Sequence, residues 1–270
     1  MALQSSGQIT LNQIHLEAGG SSQTQASLND ADIRGLINKG SGAQMAMDEW
    51  YNASALPAYR SVSTGVIGSN SSNNSVESYS LTSLGAQQGD LVLVSICSDG
   101  PGSITPYNMS GWGSLSGTGT NVTFTQGMHF KVMGSSPESS FKITTGPYPF
   151  ALPVVALCIK NIGGLATSYW SGGSGVISVN PPARSVTTAN SVGVVVLLRD
   201  DNAAGVNAST PSGYTKIGSK YTSNAGLGYN WEQSVDVYYR LGLPTGTHDP
   251  SAISWGSGYD NAVATTAIFR

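Results

Sequence analysis

Apolar residues along this chain gather in short runs, each closed by a cluster of Gly, Pro, Asn or Ser. Residues 78–84, 91–97, 128–133, 141–145 and 154–162 are such runs, rich in Val, Ile, Tyr, Phe and Thr. Apolar runs of that length between turn residues predict β-strands. No long stretch repeats apolar residues at helical spacing, which excludes alternating strand–helix units and a parallel sheet. Short strands at this spacing favour an antiparallel β-sandwich of jelly-roll type.

The pattern occurs twice. In the first copy, Asp90 and LVLVSICSD are followed by Gly111-Trp112, then MHFKVM at 128–133 and LPVVALCIKNI at 152–162. In the second, Ser191 and VGVVVLLRDD are followed by Gly213-Tyr214, then VDVYYRL at 235–241 and AVATTAIF at 262–269. The offset grows from about 101 to about 110 residues, as loop insertions in an internal duplication produce. The chain is therefore mainly β, with two tandem sandwich copies over 61–170 and 171–270. A single larger sandwich built from two related halves is the second choice. Residues 91–96 and 192–198 are apolar at nearly every position, whereas a strand facing solvent alternates. Both faces of these strands must be covered, by the other copy, by the N-terminal segment or by a neighbouring subunit, and a homo-oligomer is expected.

Residues 1–60 differ in texture. Residues 8–14 alternate as a short strand does. Asn29 and Asp30 then offer an N-cap to a helix carrying Ile33, Leu36 and Ile37, with Gly40 as its stop. Ser41 and Gln44 have capping-box spacing ahead of a turn carrying Met45, Met47 and Trp50. Elements this short are unstable alone in water, so these six apolar residues read as a docking set for a partner surface. A small helical cap on the following domain is the alternative. The blocks SGQITLNQIHLEAGG, SLNDADIRGLI and SGAQMAMDEWYNAS, in that order, resemble a leader common in structural proteins of tailed bacteriophages, particularly aquatic ones. The resemblance covers residues 2–54. It implies a virion component made in the host cytoplasm, with other virion proteins as partners and the leader as an attachment module.

Composition narrows the function further. Charged residues are 10% of the chain and the net charge is −3, with no basic cluster to hold nucleic acid. No stretch has the roughly 18 apolar residues of a membrane span, and residues 1–20 lack the charge and apolar core of a secretory signal. Cys97 and Cys158 lie inside apolar runs, as buried thiols do.

Candidate chemistry is sparse. His15, His129 and His248 lie far apart in the sequence, and metal-ligand spacings, Walker loops, dinucleotide fingerprints and nucleophile elbows are absent. A glycosidase would need two converging carboxylates from among Asp99, Asp200, Asp201, Glu232, Asp236, Asp249 and Asp260. Asp99 and Asp200/Asp201 occupy matching places in the two copies, which suggests a shared fold feature before an active site. No catalytic residue, cofactor or metal is expected. Tyr229, Trp231, Trp255 and Tyr259 lie in Gly/Asn/Asp-rich contexts suited to sugar or subunit contact, with core anchoring as the alternative for the tryptophans. Tyr107, Trp112 and Tyr148 are ambiguous in the same way. The expectation is a non-enzymatic virion protein of tail-fibre or baseplate type, trimeric, with host-surface glycan as a candidate partner. A capsid decoration protein and a carbohydrate-binding or depolymerising module are the alternatives.

Overall fold

The computed structural model describes all residues except 1–2, 5, 19, 38, 52–56, 69–75, 100–103, 118, 122–123, 145–150, 202–206, 224–231 and 257–259. The chain divides into two compact units, Met1–Pro57 and Ala58–Arg270.

In the first unit, residues 8–14 are not a strand, because a helix, α1 (Leu11–Glu17), begins within them. Its start is fixed by a capping box. Thr10 Oγ1 accepts the Gln13 amide at 3.2 Å, and Gln13 Oε1 accepts the Thr10 amide at 2.7 Å. That local bonding outweighs the weak alternation. Helix α2 (Ala31–Gly35) follows Asp30, whose carboxylate accepts the Ser27 amide at 2.8 Å instead of capping the helix. A 3₁₀ turn (Met47–Trp50) begins where Glu49 accepts the Ala46 amide at 2.8 Å, so the capping interaction lies at Ala46 and Glu49 and not at Ser41 and Gln44. These elements bury Ile14, Ile33 and Trp50 completely, with Leu3, Ile9 and Leu36 around them.

Among the described residues the second unit is β apart from one 3₁₀ turn (Thr82–Leu84), so the strand expected over 78–84 stops at Ser80. Its first half contains β1 (Ala58–Gly68), β2 (Val76–Ser80), β3 (Leu91–Asp99), β4 (Thr105–Pro106), β5 (Gly113–Ser114), β6 (Gly119–Asn121), β7 (Phe124–Val132), β8 (Ser140–Thr144) and β9 (Ala151–Lys160). The second contains β10 (Leu165–Val176), β11 (Ser178–Val179), β12 (Arg184–Val186), β13 (Ser191–Asp201), β14 (Thr215–Ser223), β15 (Glu232–Leu243), β16 (Gly246–His248), β17 (Ile253–Ser254) and β18 (Asp260–Phe269). The major sheet of the first half runs β1-β9-β3-β7-β5, with β6 on β7, and its minor sheet runs β2-β8-β4. In the second half the major sheet runs β10-β18-β13-β15-β14, and two separate pairs, β12-β16 and β11-β17, stand beside it in place of a three-stranded minor sheet. In each half the first strand pairs with the last (β1 with β9, β10 with β18) and the second with the next to last (β2 with β8, β11 with β17), so both ends of the half interleave in two layers. That is jelly-roll wrapping.

The two major sheets pack face to face, giving four layers. Along β3, Leu91, Leu93 and Cys97 enter the central core, while Val92, Val94 and Ile96 pack toward the minor sheet on Phe141 and Ile143. Along β13, Val192, Val194, Val196 and Leu198 meet the central core, and Val195 and Leu197 turn outward onto Ile253 and Trp255. The unbroken apolar runs thus have two covered faces, one against the other half and one against the half's own minor strands. Each half is a small sandwich, and the two share a core.

Contacts across the centre fix the arrangement. Gly218 on β14 lies against Val62 and Val155 of β1 and β9, Phe130 meets Phe269 edge-on at 5.7 Å, and Thr265 Oγ1 donates to the Ser116 carbonyl at 3.1 Å. Cys97 Sγ lies 3.6 Å from the Arg199 carbonyl, so β3 and β13 finish side by side. Opposite edges face each other and equivalent strands run the same way, as a half-turn about an axis along the strands would place them. Register sets Gly68 opposite Ala151, Asp99 opposite Phe124, and Asp201 opposite Glu232. All these strand ends therefore gather at one end of the sandwich.

Candidate functional site

The leader's expected docking residues are spent inside its own unit. Ile33, Leu36 and Trp50 are buried in its core, and Ile37 and Met45 pack against that core from the side. Only Met47 stands out, 48% exposed. Among the described residues, the large exposed apolar side chains of the unit are Met47, Leu11 and Leu16, and a strand over 8–14 gives no reason to group Leu11 with Leu16. His15 is buried with Nε2 2.7 Å from Thr24 Oγ1, and Lys39 bridges Glu49 at 2.6 Å, holding the Glu49 carboxyl below its ordinary range.

Of the four candidate contact aromatics, Tyr229, Trp231 and Tyr259 lie outside the described residues, as does Tyr148. Trp255 is a correction. It is 3% exposed in the outer core of the second half, with the Arg199 guanidinium 5.2 Å from its ring centroid, and it presents no face to a receptor. Its Gly-rich neighbours made it look like a loop residue, but β17 delivers it into the core. Trp112 is half-buried on Phe141, ring centroids 4.6 Å apart. The matching place in the second half holds Tyr214, whose hydroxyl lies 2.6 Å from His248 Nε2. Burial raises the Tyr214 hydroxyl and lowers His248. Tyr107 remains 39% exposed.

Asp236, on β15, is the centre of a buried charge cluster. Lys216 on β14 meets its Oδ1 at 2.7 Å and Arg199 on β13 approaches its Oδ2 at 3.6 Å. Because β15 lies between β13 and β14, the carboxylate ties three neighbouring strands. Lys216 also sits 5.7 Å from the ring centroid of Tyr238, whose hydroxyl is raised by burial and by Asp236. Asp200 and Asp236 do not converge. Alternation along the strands places Asp200 on the face of the central core and Asp236 on the opposite face. Asp249 is exposed just past β16. The side chains of Asp99, Asp201 and Asp260 lie outside the described residues.

His129, on β7, is enclosed. Its Nε2 donates to the Ile104 carbonyl at 3.2 Å, its Nδ1 accepts from Ser114 Oγ at 3.0 Å, and burial pulls its pKa down to about 4. Cys97 and Cys158 are buried thiols. Burial, with Asp90 beside it, pushes Cys158 up to about 12, which leaves it inert as a nucleophile. Among the described residues, no group of three or more His, Cys, Asp or Glu side chains is placed to hold a metal, and no helix is long and apolar enough to cross a membrane.

An open groove of about 380 Å³ lies on the first half, between the turn at 108–110 and residues 137–142. The turn is shaped by Asn108 at φ 50° and fixed by its neighbours. Tyr107 donates to the Lys142 carbonyl at 2.9 Å, and the Lys142 amide lies 2.9 Å from Met109 Sδ. Lys131 rises between the walls, donating to the Ser110 carbonyl at 2.7 Å and pairing with Glu138. The exposed Lys142 makes no ion pair among the described residues. The groove joins segments some thirty residues apart, and nothing in the local sequence marks it. Comparison with family models, with curated proteins and with solved structures finds no match.

Proposed function

We propose that this chain is a structural component of a tailed-phage virion, an appendage protein of tail-fibre or baseplate type anchored by its N-terminal unit. The observation that carries this reading is a coincidence of boundaries. The three leader blocks resembling those of phage structural proteins span residues 2–54, and the first compact unit ends at Pro57. A leader reused ahead of different proteins would be expected to fold as a unit of its own. Leu11, Leu16 and Met47 supply its exposed apolar surface and replace the buried set as the attachment contacts. Other virion proteins are the partners, and the assembled form is a homo-oligomer, a trimer on our reading. The jelly-roll wrapping of the second unit supports the assignment by analogy alone, since capsid and lectin domains use it.

The protein is made in the host cytoplasm and ends on the particle. Immunogold labelling of purified particles with antibody to residues 58–270 tests this, and gold on the tail or its fibres is expected. Gold over the head would make the chain a capsid decoration protein, and no gold at all would remove the virion assignment. Deleting residues 1–57 should abolish incorporation, and particles carrying that deletion at normal copy number would sink the anchor.

A further inference from the structure

We propose that the groove between the 108–110 turn and residues 137–142 binds a small saccharide carrying one anionic group. The inference rests on the reading of this chain as an appendage protein that touches a host surface, and it relocates that contact from the second half to the first. Four observations converge. The groove's volume, about 380 Å³, lies in the range of small-ligand sites and suits one or two sugar rings. Its lining is hydroxyl, amide and ammonium with the Glu138 carboxylate, Asn108, Ser139 and Ser140 standing at its walls and Met109 and Pro137 as the apolar contacts, which fits a hydroxyl-rich ligand better than an apolar one.

The charges are unequal. Lys131 is neutralised by Glu138 and held by the Ser110 carbonyl, whereas Lys142 makes no ion pair among the described residues, so the lining keeps a net charge of one cation for one anion. The walls are also set in advance. Hydrogen bonds from Tyr107 to Lys142 and from Leu81 to the Ser139 carbonyl (2.9 and 2.8 Å) tie both sides to the minor sheet, so little order is left to impose on binding.

The test is a ¹H–¹⁵N titration of the full chain with D-glucuronate, with glucose 6-phosphate and with neutral methyl glucoside. Saturable shifts at the amides of 108–110 and 139–142 are expected with an anionic sugar. A response to glucuronate alone would point to an acidic glycan, and a response to the phosphate alone to a phosphorylated one. Lys142→Met should weaken that binding about tenfold, Lys142→Arg should restore it, and Lys220→Met should leave it unchanged. The proposal is overturned if no shift saturates, if methyl glucoside moves the same amides as strongly, or if Lys142→Met binds like the parent. None of these results depends on where the protein sits on a particle, so the groove can fail while the labelling of virions succeeds, and the reverse.

Discussion

At the scale of single residues, His129 couples the fold to pH. A carbonyl can only accept, so Nε2 carries the ring proton and the neutral imidazole satisfies both Ile104 and Ser114. Its folded pKa, about 4, lies below the ordinary imidazole value of 6.5, so the native state favours the uncharged ring. The stabilisation is complete above the unfolded pKa and is lost as pH falls from there through the folded one. The difference amounts to about 3 kcal/mol. Urea unfolding at about pH 7 and about pH 4 should show the parent losing that much more than His129→Gln. Equal losses would clear His129 of the effect. Gly218 makes a steric prediction. A Cβ there would stand 2.5 Å from Val155 Cγ1 and 3.0 Å from Val62 Cγ2, between the two major sheets. Gly218→Ala should cost about 1–3 kcal/mol, and Val155→Ala in the same chain should recover part of it. Additive losses in the double variant would mean the contact is not the cause.

Among elements, strands read far more clearly in the sequence than the cross-strand groups they bring together. Residues 91–96 and 192–198 advertised two covered faces by lacking alternation, and the structure assigns one face of each to the shared core. Helix α1 was missed because its signal is one reciprocal bond pair between Thr10 and Gln13, too local to disturb the apolar pattern. Trp255 was misread because burial depends on where β17 docks, which its neighbours do not encode. The Lys216–Asp236–Arg199 cluster was invisible for a related reason, since only sheet order makes β13, β15 and β14 neighbours. Asp236→Ala removes the carboxylate from between two cations and should lower stability by about 3–5 kcal/mol, read from the denaturant midpoint. An unchanged midpoint would show that the cluster does not hold the three strands.

For the whole molecule, the shared core implies that neither jelly roll is self-sufficient. A fragment of residues 58–164 would expose Leu91, Leu93, Leu157 and Ile159 along one sheet face, whose natural cover is a second sheet of the same shape. It should sediment as a dimer or larger and unfold at a midpoint that rises with its concentration. A folded monomer of this fragment at micromolar concentration would show that the face needs no cover. In the intact chain the same pairing is made within one backbone, so dilution cannot undo it. The tether also frees the two sides to differ. In a true twofold dimer every substitution appears on both sides of the axis, whereas here each appears once. Trp112 on Phe141 in one half, against Tyr214 bonded to His248 in the other, is what that freedom permits.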